Sequence, residues 1–265
     1  MASLLEKTRE LTLWLQEAPG QRVEFMDMAQ VLGDLIHANI YITGRTGRIL
    51  GYALPEDDDC PVLKQLFIEN AFIPEKYNGM LLKEDHTLMN KRSAQDGCIL
   101  GITTEECMRR GNALSIVPIV IRGQRQGTLV LTKRSGLIFG EDDTVLAEYG
   151  AMVIGMEILR ARMEEAEEEI RQQTAVQAAI STLSYTEQEA LGHVFSELSG
   201  KETLLVASKI ADRAGLTRSV IVNAMRKLES AGVIATKSLG MKGTHIKVLN
   251  DHIVGEIMKR RGRAV

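Results

Sequence analysis

Arg218, Ser219, Asn223, Arg226 and Lys227 fall on one side of any helix drawn through Arg218–Ser230, with Val222 beside Asn223. Their types suit the edges and backbone of a nucleic-acid duplex. An arginine can chelate a guanine edge and an asparagine an adenine edge, while Lys and Ser side chains reach phosphates. Ahead of them, Ala207, Ser208 and Lys209 open a shorter helical stretch whose exposed start can touch the backbone. After them come Lys237, Ser238 and Lys242 in a loop with two glycines, placing positive charge beside a duplex. The competing reading of Arg218, Arg226 and Lys227 is a solvated helix face.

The elements that must hold these residues follow from the apolar spacing in Val206–Asn250. Ile210, Ala214, Leu216, Ile221 and Ala224 fall where two crossing helices bury them, and Ala211 is small at the crossing. Gly215 sits where the sharp turn needs positive φ. Thr217 is placed to cap the second helix with its hydroxyl, and Gly232 to end it. Val233–Thr236 and Thr244–Leu249 are predicted wing strands. Helix, turn, helix and hairpin in this order read as a winged helix-turn-helix, which implies binding to double-stranded DNA.

Charge agrees. Residues 176–265 carry 13 Lys+Arg against 8 Asp+Glu, a net of +5, on a body of net −8, within a chain of net charge −3. The basic tail Lys259–Arg263 reads either as further phosphate contacts or as a frayed terminus.

At 265 residues, 45% hydrophobic and 25% charged, the chain fits two soluble domains. Leu4 to Leu15 and Val23 to Leu35 predict two helices broken at Pro19–Gly20. Asn39–Ile42 and Arg48–Tyr52 are predicted strands, as are Ser115–Ile121 and Gln126–Thr132. These features alone give an α+β class. From Asp142 to Ser181 runs a predicted long helix. Along it Tyr149, Met152, Met156, Leu159, Met163, Ala166 and Ile170 alternate steps of three and four, a seam suited to pairing with another helix. A homodimer is the favoured expectation, with packing on the chain's own first domain as the alternative. Glu164, Glu165, Glu167, Glu168 and Glu169 read as its solvated face.

No apolar run reaches membrane-spanning length, and the N-terminus is too charged for a signal peptide, so a cytoplasmic, non-membrane protein is expected. Cys60, Cys98 and Cys107 fit a reducing compartment, in no metal spacing. The five histidines are scattered, so neither a metal site nor an enzyme is expected.

The stretch ASKIADRAGLTRSVIVNAMRKLESAGVI followed by KSLGMKGTHIKVLN resembles the C-terminal domain of the CodY family, nutrient-sensing global repressors of Gram-positive bacteria. GTLVLTKRSGLIFGEDDTVLAEYGAMVIGMEILR (127–160) and SLLEKTRELTLWLQ (3–16) resemble the same family. The resemblance is weakest between Leu54 and Arg110. It implies a GAF-like effector-sensing domain over 1–141, a linker and dimerisation helix over 142–181, and a winged helix-turn-helix over 182–265. It also implies a mainly repressing regulator that answers to a branched-chain amino acid (isoleucine, valine or leucine) and to GTP.

For such an amino acid the residues offer an apolar cup of Val62, Leu63, Leu66, Phe67, Phe72, Ile73, Tyr77 and Ile102. Ordinary core is the other reading of these positions. Here the chain departs from the family pattern. Pro61-Val62-Leu63-Lys64-Gln65-Leu66 stands where many relatives carry an arginine followed by methionines, and no arginine lies between Tyr52 and Met89. Lys64 or Arg45 can offer charge, but not the planar fork of the same arginine. A regulator of the same architecture with a different effector, or none, is therefore the alternative. No G-x-x-x-x-G-K-[ST] phosphate loop is present, and the segments Gly44–Arg48 and Gly123–Gly127 read as hairpin turns before anion cradles.

Overall fold

A computed structural model describes residues 3–16, 24–55, 68–69, 71–92, 113–134, 136–198 and 200–262. Val62, Leu63, Lys64, Leu66, Phe67, Ile102 and the three cysteines lie outside the described residues. The chain divides into two compact units, Met1–Arg162 and Met163–Val265. That division falls inside the long helix, 21 residues beyond the 1–141 boundary read from the sequence (162 against 141). The cause is packing: the first half of the helix belongs to the core of the first unit.

In the first unit, α1 (Leu4–Gln16) and α2 (Phe25–Ile36) precede a five-stranded antiparallel sheet in the order β2-β1-β5-β4-β3. Its strands are β1 (Asn39–Gly44), β2 (Ile49–Ala53), β3 (Leu88–Arg92), β4 (Ala113–Ile121) and β5 (Gln124–Lys133). The short helix α3 (Glu75–Leu82) lies between β2 and β3. The hairpin β4–β5 turns on Arg122 and Gly123, both at positive φ (51° and 75°), the backbone that a two-residue hairpin loop requires.

Alternation along the strands gives the sheet two buried faces. Ile40, Ile42, Val117, Ile119, Leu129 and Leu131 pack with α1, α2 and the start of the long helix, α4 (Glu141–Ser181). Tyr41, Leu114, Ile116 and Val130 face the other way, onto Ile73 and Leu81, with Tyr77 and Leu88 at the margin. Arg125 ties α3 to the sheet. Its guanidinium donates to the carbonyls of Leu81 (3.2 Å) and Glu84 (2.8 Å) at the helix C-terminus, and to Thr128 Oγ1 (2.9 Å).

Helix α4 is 41 residues long and changes environment along its length. Leu146, Ala147, Ile154 and Ile158 are buried in the first unit, and Val176, Ala179 and Ile180 in the second. Between them every residue from Arg162 to Arg171 is exposed. The heptad positions Met152, Met156, Met163 and Ile170 are 47%, 49%, 56% and 63% exposed. Tyr149 and Leu159 are half-buried, and Tyr149 packs on the core of the first unit.

The second unit adds α5 (Tyr185–Ser196), β6 (Glu202–Leu205), α6 (Ala207–Ala214), α7 (Arg218–Ser230), β7 (Ile234–Ser238), β8 (Thr244–Val248) and α8 (His252–Gly262). Its sheet has the order β6-β8-β7. Neither α5 nor β6 follows from the apolar pattern, and Lys259–Gly262 of the basic tail continue α8. Ile210, Ala211, Ile221, Ala224, Leu228, Ile234 and Ile246 form one core with the end of α4.

Candidate nucleic-acid interface

Helix α6 spans the predicted Ala207–Ala214, and Gly215 turns the chain at φ 67°. That left-handed backbone costs a residue with a Cβ roughly 1–2 kcal/mol. Helix α7 ends with Ala231 at the C-cap and Gly232 at φ 71° just beyond it. The amides of Gly232 and Val233 donate to the carbonyls of Glu229 (2.9 Å) and Leu228 (3.1 Å). Thr217 occupies the N-cap position with extended backbone, but its hydroxyl makes no capping bond. The expected side-chain cap is therefore absent, and the exposed hydroxyl stands at the helix N-terminus, where the dipole favours an anion.

With Ile221, Ala224, Met225 and Leu228 buried, the opposite side of α7 presents Arg218, Ser219, Asn223 and Arg226, with Val222 half-buried at its edge. Ser208 and Lys209 are exposed at the start of α6, and Ala207 is half-buried. The wing strands pair from Ile234–Val248 to Ser238–Thr244. Their connection carries a short 3-10 turn, Gly240–Lys242; Lys237 and Ser238, expected in the loop, instead end β7 because they continue the pairing with β8, and Lys237, Ser238 and Lys242 are all exposed.

Ion pairing sorts the cations of this unit. Arg171 pairs with Glu168, Lys201 with Asp251, Arg213 with Glu197, Lys247 with Glu202 and Arg260 with Glu256. Lys209, Arg218, Arg226, Lys237, Lys242 and Lys259 have no acidic partner among the described residues. Lys259 is on α8, and the other five belong to α6, α7 and the wing, the elements read from the sequence as the duplex-facing set. Unpaired exposed cations gathered on one helix pair and its wing form a surface for a polyanion.

Lys227 stands apart from that set. Its Nζ donates to Glu187 Oε2 (2.7 Å) and to the Thr182 carbonyl (3.0 Å). The same Glu187 oxygen accepts the Ser184 N–H (2.7 Å) in the capping box of α5. Burial pushes the Glu187 carboxyl up, but the Lys227 ammonium and the Ser184 amide outweigh it and hold the pKa below the ordinary carboxylate value. The pair therefore stabilises the unit above that ordinary value, and the contribution fades as pH falls through the lowered one. Sequence spacing put Lys227 on the phosphate-following face. Its acidic partner lies 40 residues away, a separation that no local pattern reveals.

Lys242→Ala is expected to weaken binding to specific and scrambled duplexes alike and to flatten the slope of log affinity against log salt by about one. Equilibrium titration at several salt concentrations checks this. A changed preference between duplexes with an unchanged slope would remove Lys242 from the phosphate contacts.

In the first unit, Ile73 is fully buried and Tyr77 borders the same cluster, whereas Phe72 is 47% exposed and outside it. Gly44–Arg48 and Gly123–Gly127 are neighbours, because the Arg45 amide donates to the Gln126 carbonyl (2.9 Å). The Gly47 amide is likewise occupied by the Gly44 carbonyl (3.0 Å), which fits the reading of a turn. Arg45 itself is exposed.

A helix pair crossed at a glycine turn, a cationic wing and an α+β domain joined to them by one long helix define a transcription regulator of the winged helix-turn-helix class. Residues 3–182 match the CodY GAF-like domain and residues 201–260 the CodY helix-turn-helix domain. The chain is 50% identical over 259 residues to the global transcriptional regulator CodY of Clostridium perfringens, covering 98% of this chain and 99% of that one. It is 52% identical over 259 residues to the protein of the same name from Listeria monocytogenes, covering 97% and 98%. A cofactor-binding GAF domain of the nutrient sensor CodY from Clostridium difficile is similar at 37% identity and a TM-score of 0.41, over 60% of this chain and 99% of that one. The chain belongs to the CodY family. These relatives are regulators and not enzymes.

Proposed function

We propose that this protein is a cytoplasmic, homodimeric, mainly repressing regulator that binds operator duplexes through α7 and the wing and answers to a branched-chain amino acid and GTP. The observation that carries the DNA reading is the gathering of the unpaired cations Lys209, Arg218, Arg226, Lys237 and Lys242. No helix among the described residues is long and apolar enough to cross a membrane. The exposed heptad seam of α4 supports the dimer, and paired heads suit paired half-sites. The family membership supports the effectors, and the buried second face of the sheet at Ile73 and Tyr77 is where an apolar side chain would be received. A ligand that favours one sensor conformation then shifts the placement of the two DNA heads by no more than its differential affinity.

The absence of an arginine between Tyr52 and Met89 supports a second reading, the same architecture answering to another effector or to none. Thermal unfolding against isoleucine, valine, leucine and GTP separates the two. A ligand at a hundred times its dissociation constant is expected to add about 2.7 kcal/mol to the folded state. No shift with any of the three amino acids would establish the second reading.

A further inference from the structure

Lys227 is a cation on the recognition helix that is held by the protein itself. It sits on one flank of the exposed face of α7, joined to Glu187 and to the Thr182 carbonyl. Two residues on, and so about 200° around the helix, Glu229 holds the other flank. Its Oε1 accepts the Thr236 amide (2.9 Å) and the Thr236 hydroxyl (2.8 Å) from the wing. Ser219, Asn223 and Arg226 lie on the exposed arc between these two anchors, and Arg218 stands beside the Glu229 flank, about 20° from it around the helix. A helix packed by its apolar side alone can roll by a fraction of a side chain. Polar ties on opposite flanks oppose roll in both directions.

The Lys227 anchor also has a direction. Thr182 is the first residue after α4, and Ser184 and Glu187 form the capping box that starts α5. Ile180 and Leu183 on either side are buried in the same core as α7. The end of the long helix is thus joined to the recognition helix by packing and by a charged bond. We propose that Lys227, with Glu187, is a positioning residue that sets the roll of the recognition helix and links it to the end of the long helix, and that it is not a phosphate contact. This rests on the reading that α7 enters the groove.

The two roles predict opposite behaviour. A phosphate contact contributes about one to the salt slope and little to sequence preference. A positioning residue contributes to preference and leaves the slope alone. The test uses the full chain, a duplex selected by the wild type from a randomised pool, and a scrambled duplex of equal length. Lys227→Met keeps the aliphatic stem and removes the charge. It is expected to lower the ratio of selected to scrambled affinity roughly tenfold, about the worth of one base contact, with the salt slope unchanged.

Glu187→Gln gives the sharper comparison, because it removes a negative charge and would tighten binding to both duplexes if field strength alone mattered. The expected result is the same loss of preference as in Lys227→Met, with the double variant no worse than either single one. Lys227→Arg is expected to recover most of the ratio. Should Lys227→Met not fold, Lys227→Arg and Glu187→Asp carry the comparison, since both retain the pair and change its length. Equal weakening on both duplexes with a slope lower by about one, or tighter binding by Glu187→Gln, would overturn the proposal. A wild type that selects no duplex from the pool would instead overturn the DNA reading beneath it.

Discussion

Arg218→Ala is expected to lower affinity for a selected operator duplex roughly 10- to 100-fold, while affinity for a scrambled duplex falls far less. Arg218 is the first residue of α7, the end of a recognition helix that meets base edges, and it is exposed with no acidic partner among the described residues. A bidentate arginine–guanine pair is worth about 1–3 kcal/mol of discrimination, which is the origin of the expected range. Loss of one charge from the field would lower both affinities together, so the comparison of duplexes isolates the base contact. Fluorescence anisotropy at fixed salt measures both. An unchanged ratio would move sequence reading to Asn223, Arg226 or the wing. Stability should hardly change, because the truncated side chain is solvated.

The double variant Met156→Glu, Met163→Glu is expected to be monomeric at micromolar concentration and to bind a two-half-site operator about 10²–10⁴-fold more weakly than the wild type, the range lost with bivalent engagement. Both methionines are half exposed, 49% and 56%, so the folded chain does not depend on burying them. In a paired seam each would bury most of its side chain, about 1.5–3 kcal/mol apiece. Two glutamates at the same position of successive heptads replace that gain with desolvated carboxylates beside the acidic run Glu164–Glu169. Light scattering gives the mass, and single-half-site DNA provides the control, since its affinity should survive. A dimeric mass in the double variant would place the association on another surface of the protein.

Much of the candidate interface was legible because its signals are local. The helix Ala207–Ala214, the turn at Gly215 and the exposure of Arg218, Ser219 and Asn223 follow from spacing within a few residues. The same holds for the long helix, read from Asp142 and found from Glu141. At Thr217 the expected N-cap position holds and the expected bond does not, because residue type gives the position and not the rotamer that would make the bond. The short edge strand β6 is not legible locally, because Glu202–Leu205 is too brief to show an alternation, and its partners in β8 lie 39 to 45 residues further on (Leu205 with Thr244, Glu202 with Lys247).

The sequence by itself determined which elements exist, the charge they carry and the family they resemble, because helical period, turn glycines and side-chain type act over one or two turns of chain. Only the tertiary structure decided which cations remain free. Arg226 and Lys227 are adjacent and alike in type, yet one faces solvent without an acidic partner among the described residues, and the other is bonded to Glu187 and Thr182. A single step of about 100° around the helix separates them. What lies beside each flank depends on how α5 and the end of α4 pack against α7, a long-range outcome of burying one shared core that no local spacing records.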